Sequence, residues 1–383
     1  MKAGWEIKSL GEVIQLEYGK PLPPEDRNPN GMYPAYGANG EKARTDKFYR
    51  DCPSIIVGRK GSAGEITLTE DRYWPLDVTY FVEFDCQRYD LQFIYYLLAT
   101  LDLPKLAKGV KPGINRNEVY ALSVVVPTRT EQQRIATILD EAFEGIATAK
   151  ANAEKNLQNA RELFARRMQV LFEAQEAWER VPLAELLERG WITSHLDGNH
   201  GSDYPRKEEF IETGVPYIAA SAIKGGAVDF GEAKYLSPER AATIRKGLAR
   251  DRDVLFAHNA TVGPVAILNT NEEVVILGTS LTHYRCDPQH IHPEYLAHFM
   301  VSPTFTSQYA QVMKQSTRNQ VPITKQREFF HVIPPIDVQR RIADELDELS
   351  DQTLGFVTIQ AQKITALDEL KKSLLHQAFA GQL

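Results

Sequence analysis

The sequence predicts a mixed α/β (α+β) chain made of two globular units, each followed by one long helix, and three observations carry that prediction. The stretch Pro127 to Phe172, PTRTEQQRIATILDEAFEGIATAKANAEKNLQNARELFARRMQVLF, returns without a gap as PPIDVQRRIADELDELSDQTLGFVTIQAQKITALDELKKSLLHQAF from Pro334 to Phe379. A second repeat, WEIKSLGEVI from Trp5 and WERVPLAELL from Trp178, opens each half. Between these markers each half reads as short β-type runs, turn residues and one helical stretch. The boundaries follow as a globule over 1–126, a helix over 127–176, a globule over 177–333 and a helix over 334–383.

The long repeat is helical by its period. Ile135, Leu139, Ala142, Ile146, Ala149, Ala153, Leu157, Ala160, Phe164, Met168 and Leu171 are spaced by fours and threes, which keeps one seam facing a partner helix. Pro127 supplies a start signal. At 1.5 Å per residue such a helix reaches roughly 65–70 Å, so it cannot be a core helix of an ordinary globule along its whole length.

In the first globule, Pro23 to Gly40 is all turn signals with Tyr33 and Tyr36 set among them, and SIIVGRKGSAGEITLTE from Ser54 reads as strand, glycine loop, strand. A strand from Asp77, a helix from Gln92 to Leu101 and a basic glycine-bearing loop from Lys105 to Val119 follow, and LSVVVP closes the sheet. The second globule repeats the order. Gly214 to Phe230 is strand and turn, VLFAHNATVGPVAIL takes the place of the glycine-loop hairpin, and VVILGTSLTHYRC is one further strand. Tyr295 to Met300 is helical, Lys314 to Phe329 is the basic loop, and FHVIPP leads into the second long helix. The elements agree in order while the loop residues differ, as two binding modules of different specificity require.

Composition bounds the function. With 383 residues and 43% hydrophobic content the chain can hold two or three domains with proper cores. Cys52, Cys86 and Cys286 have no metal or redox spacing, so free thiols in a reducing cytosol are expected. No apolar run is long enough for a bilayer and no signal core is present, so a cytoplasmic location and no membrane partner are expected. A net charge of −7 argues against a polyanion binding the chain as a whole, yet acidic helix faces can coexist with basic loops.

The arrangement of a globule closing through P-x-x-x-x-Q-x-R-I-A-x-x-L-D into a long helix, twice in one chain, resembles the specificity subunit of a type I restriction-modification system. The resemblance covers essentially the whole chain. It rests on Pro127 to Phe143 and Pro334 to Leu349, the glycine loop Gly58 to Gly64, the basic loop ending in Gly113 to Asn115, and the C-terminal FAGQL. It implies a non-catalytic reader of double-stranded DNA. Each globule is then a target recognition domain for half of a split sequence, and the helices form an antiparallel coiled coil that spaces the domains. Modification (adenine N6 methyltransferase) subunits and a restriction (motor-nuclease) subunit are the implied partners. S-adenosylmethionine, ATP and Mg belong on those partners, with no cofactor or metal in this chain.

The loops supply the candidate DNA-binding residues, since Arg, Lys, Asn and Gln can reach base edges or phosphates. In the first globule these are Tyr36, Asn39, Arg59, Lys60, Ser62, Lys108, Lys111, Asn115 and Arg116. In the second they are Lys224, His258, Asn259, Thr261, Arg318, Asn319, Gln320 and Lys325. GRKGSAG is not a phosphate loop, because its Lys precedes the second glycine. For any single loop residue a solvated turn is the plain alternative, and for the tyrosines it is packing at the core edge. Asp229, Glu232 and Lys234 faintly resemble a nuclease metal site, but they crowd into one loop instead of converging from separate strands. A self-contained nuclease or methyltransferase with a coiled-coil dimerisation stalk is the alternative function.

Overall fold

A computed structural model describes residues 4–173, 178–198, 204–314 and 319–383. It divides into two compact units, residues 1–155 with 361–383 and residues 156–360. Each long helix, Arg129–Phe172 and Ile336–Phe379, therefore begins in one unit and ends in the other.

In the first unit the strands Gln15–Tyr18, Thr79–Glu83, Ile55–Gly58 and Ile66–Leu68 lie side by side in that order, every neighbour antiparallel. Ile55, Ile56 and Val57 are fully buried, as a β-branched run in the middle of a sheet should be. A smaller sheet contains Tyr33–Gly37 between Gly40–Thr45 and Trp74–Pro75. This corrects the turn-only reading of Pro23 to Gly40: Pro24–Asp26, Pro29–Asn30 and Ala38–Asn39 do turn, but Tyr33 and Tyr36 lie on a strand between them. A second correction concerns LSVVVP. Ser123–Val126 does not close the main sheet but pairs antiparallel with Glu6–Ser9 in a ribbon of its own. The two repeats at the ends of the globule are thereby brought together.

The second unit uses the same plan with additions. Glu179–Pro182 pairs with Phe330–Ile333, matching the ribbon of the first unit. Its main sheet runs Ile192–Asp197, Leu281–Cys286, Val254–Ala257, Val265–Ile267, Ala227–Val228, Ile223–Lys224. VVILGTSLTHYRC is two strands instead of one. Val275–Leu277 joins a separate five-stranded sheet, and Gly278 begins the turn into Leu281–Cys286 of the main sheet.

Two of the identities in the long repeat, Gln132/Gln339 and Asp140/Asp347, are docking residues. In the first unit buried Gln132 accepts the Asp90 amide through Oε1 at 2.9 Å, and its Nε2 donates to the Pro127 and Arg88 carbonyls at 2.9 and 3.2 Å. In the second, buried Gln339 accepts the His292 amide at 2.9 Å and donates to the Pro334 and His290 carbonyls at 2.8 and 2.9 Å. About two helical turns further on, Asp140 accepts from the Tyr96 hydroxyl at 2.5 Å, and Asp347 meets His298 Nε2 at 2.7 Å. Each long helix is thus clamped to the short helix of its own globule, Leu91–Thr100 or Pro293–Val301.

Within each unit the two long helices run antiparallel. In the first unit Ile135, Leu139 and Phe143 share a core with Leu374, Leu375 and Phe379, and Lys150 pairs with Asp368 at 2.8 Å. In the second, Phe164, Met168 and Phe172 pack with Ile342, Ala343 and Leu346, and Arg167 pairs with Glu345 at 2.5 Å. The seam residues Ile135, Leu139, Ile146, Ala153 and Met168 are all buried, as their spacing predicts.

Candidate nucleic-acid interface

The glycine loop of the first unit joins Ile55–Gly58 to Ile66–Leu68 and is shaped by its own backbone. The Gly58 amide donates to the Glu65 carbonyl and the Gly64 amide to the Gly58 carbonyl, both at 2.8 Å. The loop is then tied to the basic loop, distant in sequence. The Gly61 amide donates to the Pro112 carbonyl at 3.0 Å, and the Ile114 amide to the Arg59 carbonyl at 3.1 Å. These bonds set Arg59, Lys60, Ser62, Lys111, Asn115 and Arg116 on two adjoining loops.

The second unit builds the same loop from different residues. The Ala257 amide donates to the Pro264 carbonyl at 2.8 Å and the Gly263 amide to the Ala257 carbonyl at 3.0 Å. The Ala260 amide donates to the Asn319 carbonyl at 3.0 Å, and the Val321 amide to the His258 carbonyl at 2.8 Å. His258, Asn259 and Thr261 therefore stand where Arg59, Lys60 and Ser62 stand in the first unit. Asn319 Nδ2 also donates to the Ala260 carbonyl at 2.5 Å, and Asn259 bridges to Gln320. Arg318 lies outside the described residues.

Two profile matches decide the family: the model described as the type I restriction modification DNA specificity domain covers residues 2–158 and again residues 176–366. The chain belongs to that family. Its relatives include the EcoprrI type I restriction enzyme specificity subunit of Escherichia coli, 21% identical over 168 residues, which are 41% of this chain and 42% of that protein. The MjaIX specificity subunit of Methanocaldococcus jannaschii is 20% identical over 414 residues, covering 99% of this chain and 92% of that protein. The chain spans less than half the length of the Escherichia coli EcoprrI, EcoDI and EcoBI subunits it matches, at 42%, 34% and 36%. Among solved structures, a chain from a study of complex assembly and conformational transition of the type I R-M system superposes with a TM-score of 0.76 at 18% identity, covering 100% of this chain and 99% of that one. The HsdS subunit from Thermoanaerobacter tengcongensis superposes at 0.60 and 18% identity, covering 100% of this chain and 98% of that one. At such identities these likenesses establish the fold.

For a type I specificity-family chain the surface chemistry of the loops is what differs between the units. Lys60, Lys111, Asn115, Thr261 and Asn319 are exposed, and Arg59, Ser62, Arg116, Asn259 and Gln320 are half-buried. No described carboxylate forms an ion pair with Arg59, Lys60, Lys111 or Arg116. Lys108 differs, being paired with Glu118 at 2.7 Å, as Lys325 is with Glu328 at 2.9 Å. Asn115 Oδ1 accepts the Asn117 amide at 2.9 Å and so caps the short helix Arg116–Tyr120.

Three expected positions are re-read. Tyr36 is buried, packs edge-on against Tyr73 and accepts the Glu70 amide at 3.3 Å, so its side chain belongs to the core. His258 is 1% exposed, so its side chain is withdrawn from the loop surface on which Asn259 and Thr261 remain. Lys224 is exposed but held between Asp229 at 2.9 Å and Glu232 at 3.0 Å. The carboxylates of the faint nuclease pattern are therefore partnered by Lys224, while Lys234 sits over the Phe210 ring. Asn39 is exposed at its hairpin tip.

One residue beside these loops carries no signal in the sequence. Tyr18, at the end of Gln15–Tyr18, is 47% exposed, and the guanidinium carbons of Arg59 and Arg116 lie 5.3 and 5.2 Å from its ring centroid. In sequence QLEY is an alternating strand and carries no other signal. The association arises only because strand pairing brings Tyr18 beside Tyr80 and the glycine loop.

Proposed function

We propose that this chain is the DNA-specificity subunit of a type I restriction-modification complex and performs no chemistry itself. The supporting observation is the duplicated loop: one backbone conformation, held by matching hydrogen bonds, carries Arg59, Lys60 and Ser62 in one unit and Asn259 and Thr261 in the other. A conserved frame with exchanged side chains suits two recognition domains reading different halves of a split double-stranded target. The exposed loop residues Asn39, Lys60, Lys111, Asn115, Thr261 and Asn319, with the half-buried Arg59, Ser62, Arg116, Asn259 and Gln320, form the reading set. Arg318 extends it from sequence alone. The long helices set the spacing between half-sites, as dimer geometry does in other DNA readers.

The helices also offer a surface to the modification subunits. In the second unit a groove of about 410 Å³ is lined by Ala160, Leu163, Leu349 and Phe356, and Leu163, Leu354 and Ile359 are all more than half exposed. Apolar seams of this kind mark protein interfaces. The partners would supply S-adenosylmethionine, ATP and Mg, and a cytoplasmic location follows from the DNA target. No helix among the described residues is long and apolar enough to cross a membrane.

The test is a methylome of cells carrying this chain with its modification subunits. N6-methyladenine at a split, asymmetric motif is expected, and exchange of residues 177–333 for those of a relative should alter one half of it only. An active system without a split motif refutes the reading.

A further inference from the structure

We propose that Tyr18, Arg59 and Arg116 act together as a guanine reader, so that the half-site read by the first unit contains guanine and that read by the second unit is recognised differently. The inference rests on the functional reading above and adds the base class and the residue that positions the reader.

The two guanidinium groups share one aromatic ring at 5.3 and 5.2 Å, and neither has a carboxylate partner among the described residues. Arg44, Arg50, Arg88 and Arg134 of this unit are paired, with Glu41, Glu83, Asp85 and Glu131, whereas Arg72 lies singly over the Phe48 ring, so what sets Arg59 and Arg116 apart is that two guanidinium groups share one ring. Two like charges gathered without a counter-charge create a local demand for acceptors. Both groups are also fixed. Arg59 donates from Nη2 to the Asp77 carbonyl at 2.6 Å, Arg116 from Nη1 to the Leu16 carbonyl at 3.5 Å, and Tyr80 packs against Tyr18 with centroids 5.1 Å apart.

Orientation distinguishes a base edge from a phosphate. A phosphate is satisfied by a mobile ammonium, and Lys60 and Lys111 provide two of these at the exposed rim. A guanidinium held by an aromatic ring offers its donors in a set direction, which suits the O6 and N7 acceptors that guanine alone presents in the major groove.

At the equivalent described positions the second unit carries none of the three residues. Tyr18 and Val57 both lie opposite Tyr80, and Asp197 and Phe256 both lie opposite Thr282, so Asp197 takes the place of Tyr18. Loop register puts buried His258 in the place of Arg59 and Ile323 in the place of Arg116.

The experiment uses the full chain expressed with its modification subunits, and reads the methylome for the wild type and for Tyr18→Phe, Tyr18→Leu, Arg59→Lys and Arg116→Lys. The wild-type motif should contain guanine in one half. Each Arg→Lys change should reduce discrimination at a guanine of that half by on the order of ten-fold or more, leaving the other half unchanged. Tyr18→Leu should relax the same positions while Tyr18→Phe, which keeps the ring, preserves them. A split motif without guanine in the affected half overturns this proposal alone, as does weaker methylation of an unchanged motif, the result expected for phosphate contacts or for lost stability. Absence of any split motif removes the functional reading itself.

Discussion

At the scale of single residues, the duplicated loop shows how one backbone accepts different side chains and what that costs. Gly61 adopts φ +80° and its counterpart Ala260 adopts φ +62°. A left-handed conformation is costly for a residue with a Cβ and free for glycine. Ala260→Gly should therefore stabilise the second unit by about 0.5–1 kcal/mol despite the added freedom of the unfolded chain, and Gly61→Ala should destabilise the first by about 1 kcal/mol. Nothing lies within 4 Å of a Cβ built at Gly61, so its cost is conformational and not steric. Urea unfolding of the two variants measures both, and an unchanged midpoint for each would contradict the assignment. Sequence marked Gly61 as a turn residue, but the equivalence of Ala260 depends on backbone bonds to Pro112 and Asn319 that no local pattern reveals.

The elements explain why the repeat retains the residues it does. Gln132 and Gln339 each satisfy three backbone groups, one an amide just before a short helix of the globule. Replacing Gln339 by Ala leaves those groups buried without it, and a loss of about 2–3 kcal/mol is expected. Faster hydrogen exchange at the His292 amide, with Gly355→Ala as a distant control, would locate the effect. At this same scale lies the spacing role. Adding seven residues at matched positions in Arg129–Phe172 and Ile336–Phe379 lengthens each helix by about 10 Å. At 3.4 Å per base pair the unread gap should grow by about three base pairs with both half-sites preserved. Methylome sequencing decides it, and a changed half-site would count against a spacer function. The helices were visible in the sequence because their period is local. Their docking was not, because glutamine at a helix start reads as one more polar surface residue until the short helix is packed against it.

For the whole molecule, the two units differ in their response to acid. Within the described part of the second unit, burial holds His195 at about 3 and His283 and His331 at about 4, all below the ordinary histidine range. His195 Nε2 meets Gln326 Oε1 at 3.1 Å, and the Tyr284 hydroxyl donates to the same oxygen at 2.9 Å. These imidazoles stay neutral in the fold while the unfolded chain takes up protons below about pH 6.5. Stability from them is complete above that pH and is lost as pH falls towards 4, at up to about 1.4 kcal/mol per pH unit for each group. Hydrogen exchange of the full chain between pH 7 and 5 should show the second unit loosening first. Equal loss in both units would refute the account. The net charge of −7 likewise predicts that the chain without partner subunits binds DNA weakly and with strong salt dependence, measurable by titration at two ionic strengths.

Sequence alone determined the two-fold repeat, the order of elements, the long helices and the loops that carry unlike side chains in the two halves, because periodicity and self-similarity are properties of neighbouring residues. Only the tertiary structure decided that Tyr36 and His258 are buried, that Lys224 is occupied by Asp229 and Glu232, and that Tyr18 stands beside Arg59 and Arg116. Those outcomes depend on strand register and loop closure between segments far apart in the chain. Shifting a strand by one residue would turn Tyr18 to the other face of its sheet without altering the local pattern.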